Sequence, residues 1–162
     1  MPTVLITLGS NIAKEQNLPR AIELIRHQPT LTVVAVSPIY ETAPVGGPAA
    51  QPQFYNAAMR IETTLTYPML RTLLRTLESA LGRVRTTDKF APRPIDLDIA
   101  FYGQESFTFA DKCIPDPDAI RFPHLTLPLA DIAPEWRDAK SGFTLRQIAD
   151  DLAYTEREIR KL

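Results

Sequence analysis

Two aspartates in the segment Ile95-Asp96-Leu97-Asp98-Ile99 are the residues whose types and spacing most directly suggest chemistry. Apolar and acidic residues alternate there, and this period of two predicts a β-strand. Side chains two residues apart on a strand point to the same face, so Asp96 and Asp98 are expected to stand side by side while the apolar residues enter the core. Adjacent carboxylates repel one another unless a cation lies between them, and hard oxygen ligands suit Mg²⁺. The pattern therefore predicts a divalent metal site.

Four cationic side chains precede this strand within eleven residues: Arg83, Arg85, Lys89 and Arg93. Arg83 and Arg85 follow Gly82, which is expected to end a helix, and Arg93 lies between two prolines that restrict the backbone. Arginine presents a fork of donors that binds phosphate in a bidentate way. Metal-binding carboxylates beside an arginine cluster are what polyphosphate chemistry requires. The alternative for both groups is an acidic sheet edge and an ordinary solvated surface.

Size and charge exclude several classes of protein. The 162 residues suffice for one domain with its own core, and we expect a single domain over residues 1–162. A formal net charge of −1 argues against wholesale binding of nucleic acid or a membrane surface. The single Cys113 excludes an intramolecular disulfide and a thiolate zinc site. With neither a signal peptide nor an apolar run of membrane-spanning length expected, the sequence predicts a cytoplasmic protein.

Hydrophobic periodicity predicts six elements before residue 102, namely strands over 3–8, 31–40, 54–65 and 95–99 and helices over 15–27 and 68–81. The Pro- and Gly-rich residues 43–52 are expected to form a loop. The resulting order, β-α-β-β-α-β, is that of the ferredoxin-like α+β fold. The following residues are Pro-rich up to Pro134, and a terminal helix is predicted over 144–161. We expect this C-terminal part to be an appended lobe packed on the sheet.

Two further motifs are less specific. Tyr40 and the Phe54-Tyr55-Asn56 segment bracket the predicted loop, and they could line a slot for a flat heterocycle whose edge hydrogen-bonds with Asn56. By spacing alone, ordinary packing of these aromatic residues is the favoured interpretation. Gly9-Ser10-Asn11 lacks the lysine and the glycine spacing of a P-loop, so it predicts a turn and only weakly a phosphate loop.

Taken together, these segments resemble the 6-hydroxymethyl-7,8-dihydropterin pyrophosphokinase family of folate biosynthesis. The similarity extends from the first strand to about Glu135, and residues 89–99 are close to the family signature. Supporting segments are Leu8-Gly9-Ser10-Asn11, Ser37-Pro38-Ile39-Tyr40-Glu41-Thr42, Phe54-Tyr55-Asn56-Ala57-Ala58, Leu77-Glu78 and Gly82-Arg83-Val84-Arg85. The resemblance implies a ferredoxin-like core with a four-stranded antiparallel sheet. It also implies transfer of the terminal pyrophosphoryl unit of ATP to a pterin hydroxymethyl group, with release of AMP.

The resemblance also assigns roles to individual residues. Two Mg²⁺ ions would be held by Asp96 and Asp98, while Arg83 and Arg93 would act on the phosphates during transfer. Contacts with ATP would come from Glu78, Arg85, Ile99, Lys112 and Arg121. The pterin would be lined by Thr42, Ala43, Pro44, Val45, Phe54, Asn56, Phe90 and His124. The implied partners are the pterin and ATP, with no nucleic acid or membrane, and the protein is expected to be a monomer.

Four positions differ from the family pattern. Asp116 stands where a nucleotide-contacting histidine is usual, and Phe122 stands where an arginine is usual, with Arg121 one place earlier. His124 replaces an aromatic residue that stacks on the pterin, although an imidazole can also stack, and Phe90 stands where tryptophan is frequent. These differences bear on ATP binding and leave the reaction class unchanged.

Two other functions stay open at the level of sequence. A different Mg²⁺-dependent phosphoryl-transfer or phosphate-hydrolysing enzyme could use the same aspartates, but no histidine or third aspartate adjoins them as a water-activating base. A ferredoxin-like ligand-binding module without catalysis would leave the paired acids and the cation cluster without a role. Release of AMP from ATP, rather than ADP or phosphate, distinguishes the first interpretation from both alternatives.

Overall fold

The computed structural model describes residues 1–43, 52–88, 91–155 and 157–162 and shows a mixed α/β protein. Its main sheet contains strands β1 (Thr3–Ser10), β2 (Leu31–Val36), β3 (Tyr40–Thr42), β4 (Phe54–Thr63), β5 (Asp96–Tyr102) and β8 (Ile159–Lys161). A separate hairpin consists of β6 (Phe107–Phe109) and β7 (Lys112–Ile114). The helices are α1 (Lys14–Arg26), α2 (Tyr67–Ala80), α3 (Pro123–Ile132) and α4 (Leu145–Asp151), with a short 3-10 helix at Pro117–Ile120.

The main sheet is antiparallel, in the order β5-β1-β4-β3-β8, and β2 also pairs with β4. Strand β1 lies at its centre, between β4 and β5, and is buried from Val4 to Ser10. A strand covered on both faces needs apolar or small residues at nearly every position, as the run Val4 to Gly9 provides. This central strand aligns the residues of its two neighbours, and it thereby sets the register of the site.

Side chains of alternate residues on the sheet enter two separate cores. On one face, Ile6 and Leu8 pack with residues of α1 and α2 such as Leu18 and Leu74. On the other face, Leu5 and Phe101 pack with residues of the C-terminal part, including Leu129, Trp136 and Leu145. The expectation that the C-terminal part packs on the sheet is confirmed by this second core.

Helix α2 begins and ends at the residues that its sequence marks as helix boundaries. The Thr66 side chain accepts a hydrogen bond from the Met69 backbone amide, and Pro68 occupies the first turn. After the helix, Gly82 adopts a φ of +90°, which a residue with a Cβ rarely does. The chain therefore turns sharply at Gly82 and leads Arg83 and Arg85 back towards the sheet.

Three expectations from the sequence are wrong in detail. The strand predicted over 31–40 is two strands, β2 and β3, which pair with different parts of β4. The helix predicted over 144–161 ends at Asp151, and the chain returns as strand β8, which pairs with β3. The main sheet consequently has six described strands instead of four, because β3 is separate from β2 and because β8 adds an edge.

Candidate active site

The paired aspartates lie at the start of β5, on one face of the sheet. Asp96 aligns with Gly9 of β1 and Asp98 aligns with Thr7, while Leu97 and Ile99 belong to the opposite core. The predicted alternation along this strand is therefore confirmed. Both aspartates border two cavities, which places two carboxylates side by side on an accessible surface.

Arg83 joins Asp96 to a buried glutamate. Its Nη1 atom donates to Asp96 Oδ1 at 2.7 Å, to the backbone oxygen of Ile95 at 2.9 Å and to Glu78 Oε2 at 3.2 Å. Glu78 is 1% exposed, and it also accepts from the Leu97 backbone amide at 2.8 Å and from Arg85 Nη2 at 2.5 Å. Helix α2 thus anchors two arginines through a single carboxylate.

Arg93 is held through its backbone as well as its side chain. Its amide donates to Asn11 Oδ1 at 2.7 Å, and its carbonyl oxygen accepts from the Asn11 amide at 3.1 Å. Its Nη1 atom donates to Asp96 Oδ2 at 3.3 Å, and its guanidinium carbon lies 5.9 Å from the Phe54 ring centroid. The turn predicted at Gly9-Ser10-Asn11 is wrong for its first two residues, which end strand β1, and Asn11 directly after them fixes the Arg93 backbone.

Charges of opposite sign shift the titration of these groups in opposite directions. Burial alone would raise the pKa of Asp96, but the positive charges of Arg83 and Arg93 hold it below its usual range. Burial, and then the negative charge of Asp96, raises the pKa of Asp98 to about 7. Burial lowers the pKa of Arg83, but the hydrogen bond to Asp96 and the negative charges of Asp96, Glu78 and Asp98 together outweigh it, so this pKa is raised. The two neighbouring carboxylates thus repel each other, and a cation between them would stabilise both negative charges.

A first cavity of about 250 Å³ lies between α2, the residues after Gly82 and the start of β5. The predicted ATP-site residues Arg85, Ile99 and Lys112 line it, together with Arg83 and Arg93. Arg71 and Arg75 of α2 also line it, and the sequence interpretation missed both. Residues four apart on a helix lie on the same face, so their spacing in the sequence could have indicated that Arg71 and Arg75 belong to one site. The cavity is therefore lined by more cationic groups than the signature segment alone contains.

A second cavity, of about 240 Å³, lies over the ends of β1, β3 and β4. The predicted pterin-site residues that line it are Thr42, Ala43, Phe54, Asn56 and His124. Asn56 Nδ2 donates to Thr42 Oγ1 at 2.5 Å, which orients the amide group. A Cβ atom on Gly9 would lie 3.1 Å from Asn56 Oδ1, so the absence of a side chain at this position leaves room for the amide. The cavity combines an aromatic wall with a fixed amide.

The two cavities meet at five shared residues, Arg93, Asp96, Asp98, Lys112 and Asp116. A ligand with phosphates in the first cavity and a flat ligand in the second would therefore face each other at the paired aspartates. In such an arrangement the protein supplies alignment of the reacting groups together with positive charge for the phosphates.

The structure brings most of the predicted site residues together, with a few exceptions. Pro44, Val45 and Phe90, as well as Lys89, lie outside the described residues. Among the described residues that line the two cavities, neither Glu78 nor Arg121 is included. Glu78 is instead the buried anchor of Arg83 and Arg85, and the Arg121 guanidinium lies 5.1 Å from the Phe122 ring centroid.

Three of the four residues that differ from the family pattern border the second cavity, namely Asp116, Phe122 and His124. Asp116 accepts a hydrogen bond from the Asp118 backbone amide at 3.0 Å and so caps the 3-10 helix, and its burial raises its pKa. The rings of Phe122 and His124 lie 5.6 Å apart, and burial lowers the pKa of His124 to about 4. The His124 side chain at the wall of the second cavity is therefore a neutral imidazole near pH 7.

Two structural features are absent from the part of the chain that the structure describes. No group of three or more His, Cys, Asp and Glu side chains within residues 1–43, 52–88, 91–155 and 157–162 has the arrangement of a metal site. In the same ranges, no helix has the length and apolar character that crossing a membrane requires.

The chain is similar to known proteins of one described family. The model of the family described as 7,8-dihydro-6-hydroxymethylpterin-pyrophosphokinase matches residues 5–134. The 2-amino-4-hydroxy-6-hydroxymethyldihydropteridine pyrophosphokinase of Synechocystis is 34% identical over 151 residues, covering 93% of this chain and 76% of that protein. The protein of the same name from Bacillus subtilis is 38% identical over 128 residues, covering 78% of this chain and 75% of that protein.

Solved structures show the same fold at lower sequence identity. The wild-type Plasmodium falciparum HPPK-DHPS crystallised with pteroate superposes with a TM-score of 0.70 at 14% identity. That match covers 92% of this chain and 42% of the Plasmodium chain, so this protein spans less than half the length of that two-part protein.

Proposed function

This chain belongs to the 7,8-dihydro-6-hydroxymethylpterin-pyrophosphokinase family, and we propose that its two joined cavities hold the two substrates of that reaction. The protein is a pyrophosphokinase of folate biosynthesis, which transfers a pyrophosphoryl group from ATP to the pterin hydroxymethyl group and releases AMP. The meeting of the cavities at Asp96 and Asp98 is the observation that supports this placement.

ATP is assigned to the first cavity because its lining is rich in arginine. Arg71, Arg75, Arg83 and Arg85 line it, and guanidinium groups pair with phosphate oxygens through charge-assisted hydrogen bonds. Arg83 is the most firmly held of these, since it contacts Glu78, Asp96 and the Ile95 carbonyl. Fixed donors cost little reorganisation when charge develops during transfer, so we assign Arg83 and Arg93 to the transfer step.

The pterin is assigned to the second cavity because its walls suit a flat, polar heterocycle. Phe54 and His124 offer aromatic faces, and the amide of Asn56 can donate and accept at the ring edge. The hydrogen bond between Asn56 and Thr42 fixes the amide before the ligand arrives. Pro44, Val45 and Phe90 are further proposed contacts from the sequence.

The donor set at the junction fits a divalent cation. Asp96 and Asp98 place carboxylate oxygens on one face of β5, and such oxygens are preferred ligands of Mg²⁺. Two carboxylates leave coordination positions for phosphate oxygens and water. We propose that these two residues hold two Mg²⁺ ions, and when bound the ions would neutralise charge on the phosphates.

The remaining sequence predictions belong to this proposal. The order of β5, β1, β4 and β2 supports a ferredoxin-like core, with the C-terminal part appended as one lobe of a single domain over residues 1–162. A monomer in the cytoplasm stays the expectation for the assembly and its location.

The decisive experiment measures the products of ATP in the presence of Mg²⁺ and 6-hydroxymethyl-7,8-dihydropterin. Formation of AMP and the pterin diphosphate in equal amounts is expected. Formation of ADP or free phosphate, with no diphosphorylated pterin, would contradict the proposed function. A matched reaction with EDTA is expected to give no AMP, since without a divalent cation the paired aspartates repel the phosphates of ATP.

A further inference from the structure

The C-terminal strand β8 completes the sheet beside the second cavity. Its residues align with β3 in antiparallel register, and Ile159 lies opposite Thr42. Two backbone hydrogen bonds flank this pairing, from the Ala43 amide to the Glu158 oxygen and from the Leu162 amide to the Ile39 oxygen, both at 2.9 Å. In the part of the chain that the structure describes, β3 is the only strand that β8 pairs with. The effect of β8 on the sheet is therefore transmitted through β3.

Strand β3 forms one wall of the cavity to which the pterin is assigned. It has only three residues, and its last residue, Thr42, accepts the hydrogen bond from Asn56 that orients the amide. Thr42 and Ala43 both line the cavity. A strand of three residues at the edge of a sheet would be held by few hydrogen bonds, whereas one between two strands is held on both sides. The position of Thr42 thus depends on a strand on each side.

Side chains reinforce the pairing on both faces of β3. Arg160 Nη2 donates to Glu41 Oε1 at 2.6 Å, and Lys14 Nζ lies 3.7 Å from Glu41 Oε2. On the other face, Tyr40 donates to Asp131 Oδ2 at 2.5 Å, and Lys161 Nζ donates to Asp131 Oδ1 at 3.4 Å. Ile159 is buried at 4% exposure. These contacts connect β8 to β3 and to α3, both of which contribute residues to the cavity wall.

We propose that β8 is a positioning element for the pterin: it holds β3 so that Thr42 fixes Asn56 and Ala43 stays at the cavity wall. The inference rests on the assignment of the second cavity to the pterin. None of the β8 residues lines either cavity as described, so the strand acts through β3 and not through contact with substrate. It lies far from the arginine-lined cavity in the sheet order, with β3, β4 and β1 between β8 and β5.

The test compares steady-state kinetics of the wild-type chain with a chain that ends at Arg157 and so lacks β8. The KM for 6-hydroxymethyl-7,8-dihydropterin is expected to rise about tenfold, the equivalent of one hydrogen bond to the ligand. The KM for ATP, measured at saturating pterin, is expected to stay within about threefold of the wild-type value. The kcat is expected to stay within the same margin. An equal rise in both KM values, or a fall in kcat alone, would overturn the inference.

Point variants keep the inference testable if the shortened chain does not fold. Arg160→Ala removes the contact with Glu41 and is expected to raise the pterin KM about threefold, which is the size of effect that an exposed ion pair has. Arg160→Lys retains the positive charge and is expected to have the wild-type pterin KM. A pterin KM that is unchanged in Arg160→Ala would overturn the inference. Thr144→Ala, which weakens the cap of α4 away from both cavities, controls for general destabilisation and should leave both KM values unchanged.

The wild-type chain separates this inference from the proposed function. If the wild type forms no AMP, the proposed function fails. If the wild type forms AMP and every β8 variant has a normal pterin KM, only the positioning role fails.

Discussion

Replacement of Glu78 by glutamine is expected to release Arg85 while leaving Arg83 in place. The two carboxylate oxygens have different partners: Oε1 accepts from Arg85, and Oε2 accepts from Arg83 and from the Leu97 amide. A glutamine can place its single oxygen at the Oε2 position and keep the latter two hydrogen bonds. Its NH₂ group then faces the Arg85 guanidinium, and no hydrogen bond forms because both groups are donors. Arg85, whose side chain is 45% exposed, can turn into solvent.

The expected loss in the free energy of unfolding follows from these contacts. One hydrogen bond between charged groups is worth about 1.5–3 kcal/mol, and the exposure of Arg85 lowers that value. Burial raises the pKa of Glu78, so a neutral amide also recovers part of the desolvation cost of the carboxylate. We therefore expect Glu78→Gln to lose about 1 kcal/mol. Glu78→Ala also removes the acceptor of the hydrogen bonds from Arg83 and from the Leu97 amide. We expect this variant to lose about 3–5 kcal/mol of unfolding free energy.

The KM for ATP and kcat of these variants distinguish whether Glu78 acts by positioning Arg85 or Arg83. Glu78→Gln is expected to raise the KM for ATP about tenfold, because one charge-assisted contact is lost, with kcat within about threefold of wild type. Arg85→Met retains much of the side-chain length and should have the same effect. Both substitutions remove the same interaction, the contact between Glu78 and Arg85. The KM for ATP of the double variant should therefore equal that of either single variant.

Two results would refute this reasoning. A fall in kcat at unchanged KM for ATP would mean that Glu78 acts on the transfer step through Arg83 and not through Arg85. Additive effects of Glu78→Gln and Arg85→Met would mean that the two side chains act independently, contrary to their 2.5 Å contact.

Three further outcomes are expected. Asp98→Asn should abolish AMP formation and weaken Mg²⁺-dependent ATP binding in calorimetry with little change in Tm; near-normal turnover would exclude Asp98 as a ligand. Gly9→Ala places a methyl group 3.1 Å from Asn56 Oδ1 and should raise the pterin KM without changing the ATP KM; equal changes in both would contradict this. The pKa of His124 is about 4 in the folded protein against about 6.5 unfolded, so the unfolded chain binds the proton first and stability falls as the pH drops below about 6.5. Chemical denaturation should show that the wild type loses about 2 kcal/mol more between pH 7 and pH 5 than His124→Phe does, and equal losses would count against a buried neutral imidazole.

Local sequence patterns were sufficient where the structure depends on neighbouring residues. The alternation around Asp96 and Asp98 determines which side chains share a face, because the period of a strand is a property of the backbone. Helix α2 begins and ends where Thr66 and Gly82 provide the start and end signals. For the same reason, the paired carboxylates and the arginines after Gly82 could be predicted as one site.

The C-terminal strand could not be predicted in this way. Its partner β3 lies more than a hundred residues earlier in the chain, and no periodicity within residues 144–161 contains that information. The first part of the segment does form helix α4, with a capping box between Thr144 and Gln147. Beyond Asp151, pairing with β3 and burial of Ile159 determine the conformation, so tertiary contacts outweigh local helical preference.

The Gly9-Ser10-Asn11 motif shows why a turn prediction can miss a functional role. As a sequence it lacks the features of a phosphate loop, and in the structure Gly9 lines the second cavity while Asn11 contacts Arg93. Gly9 leaves space for Asn56, whereas Asn11 holds the Arg93 backbone across 82 residues of sequence. Since Gly9 and Asn11 are two residues apart at the end of the central strand, a change in its register would displace the amide and the guanidinium together. The burial of β1 between β4 and β5 therefore holds Gly9 and Asn11 in register, and under the proposed assignment this register keeps the Asn56 amide aligned with the Arg93 guanidinium.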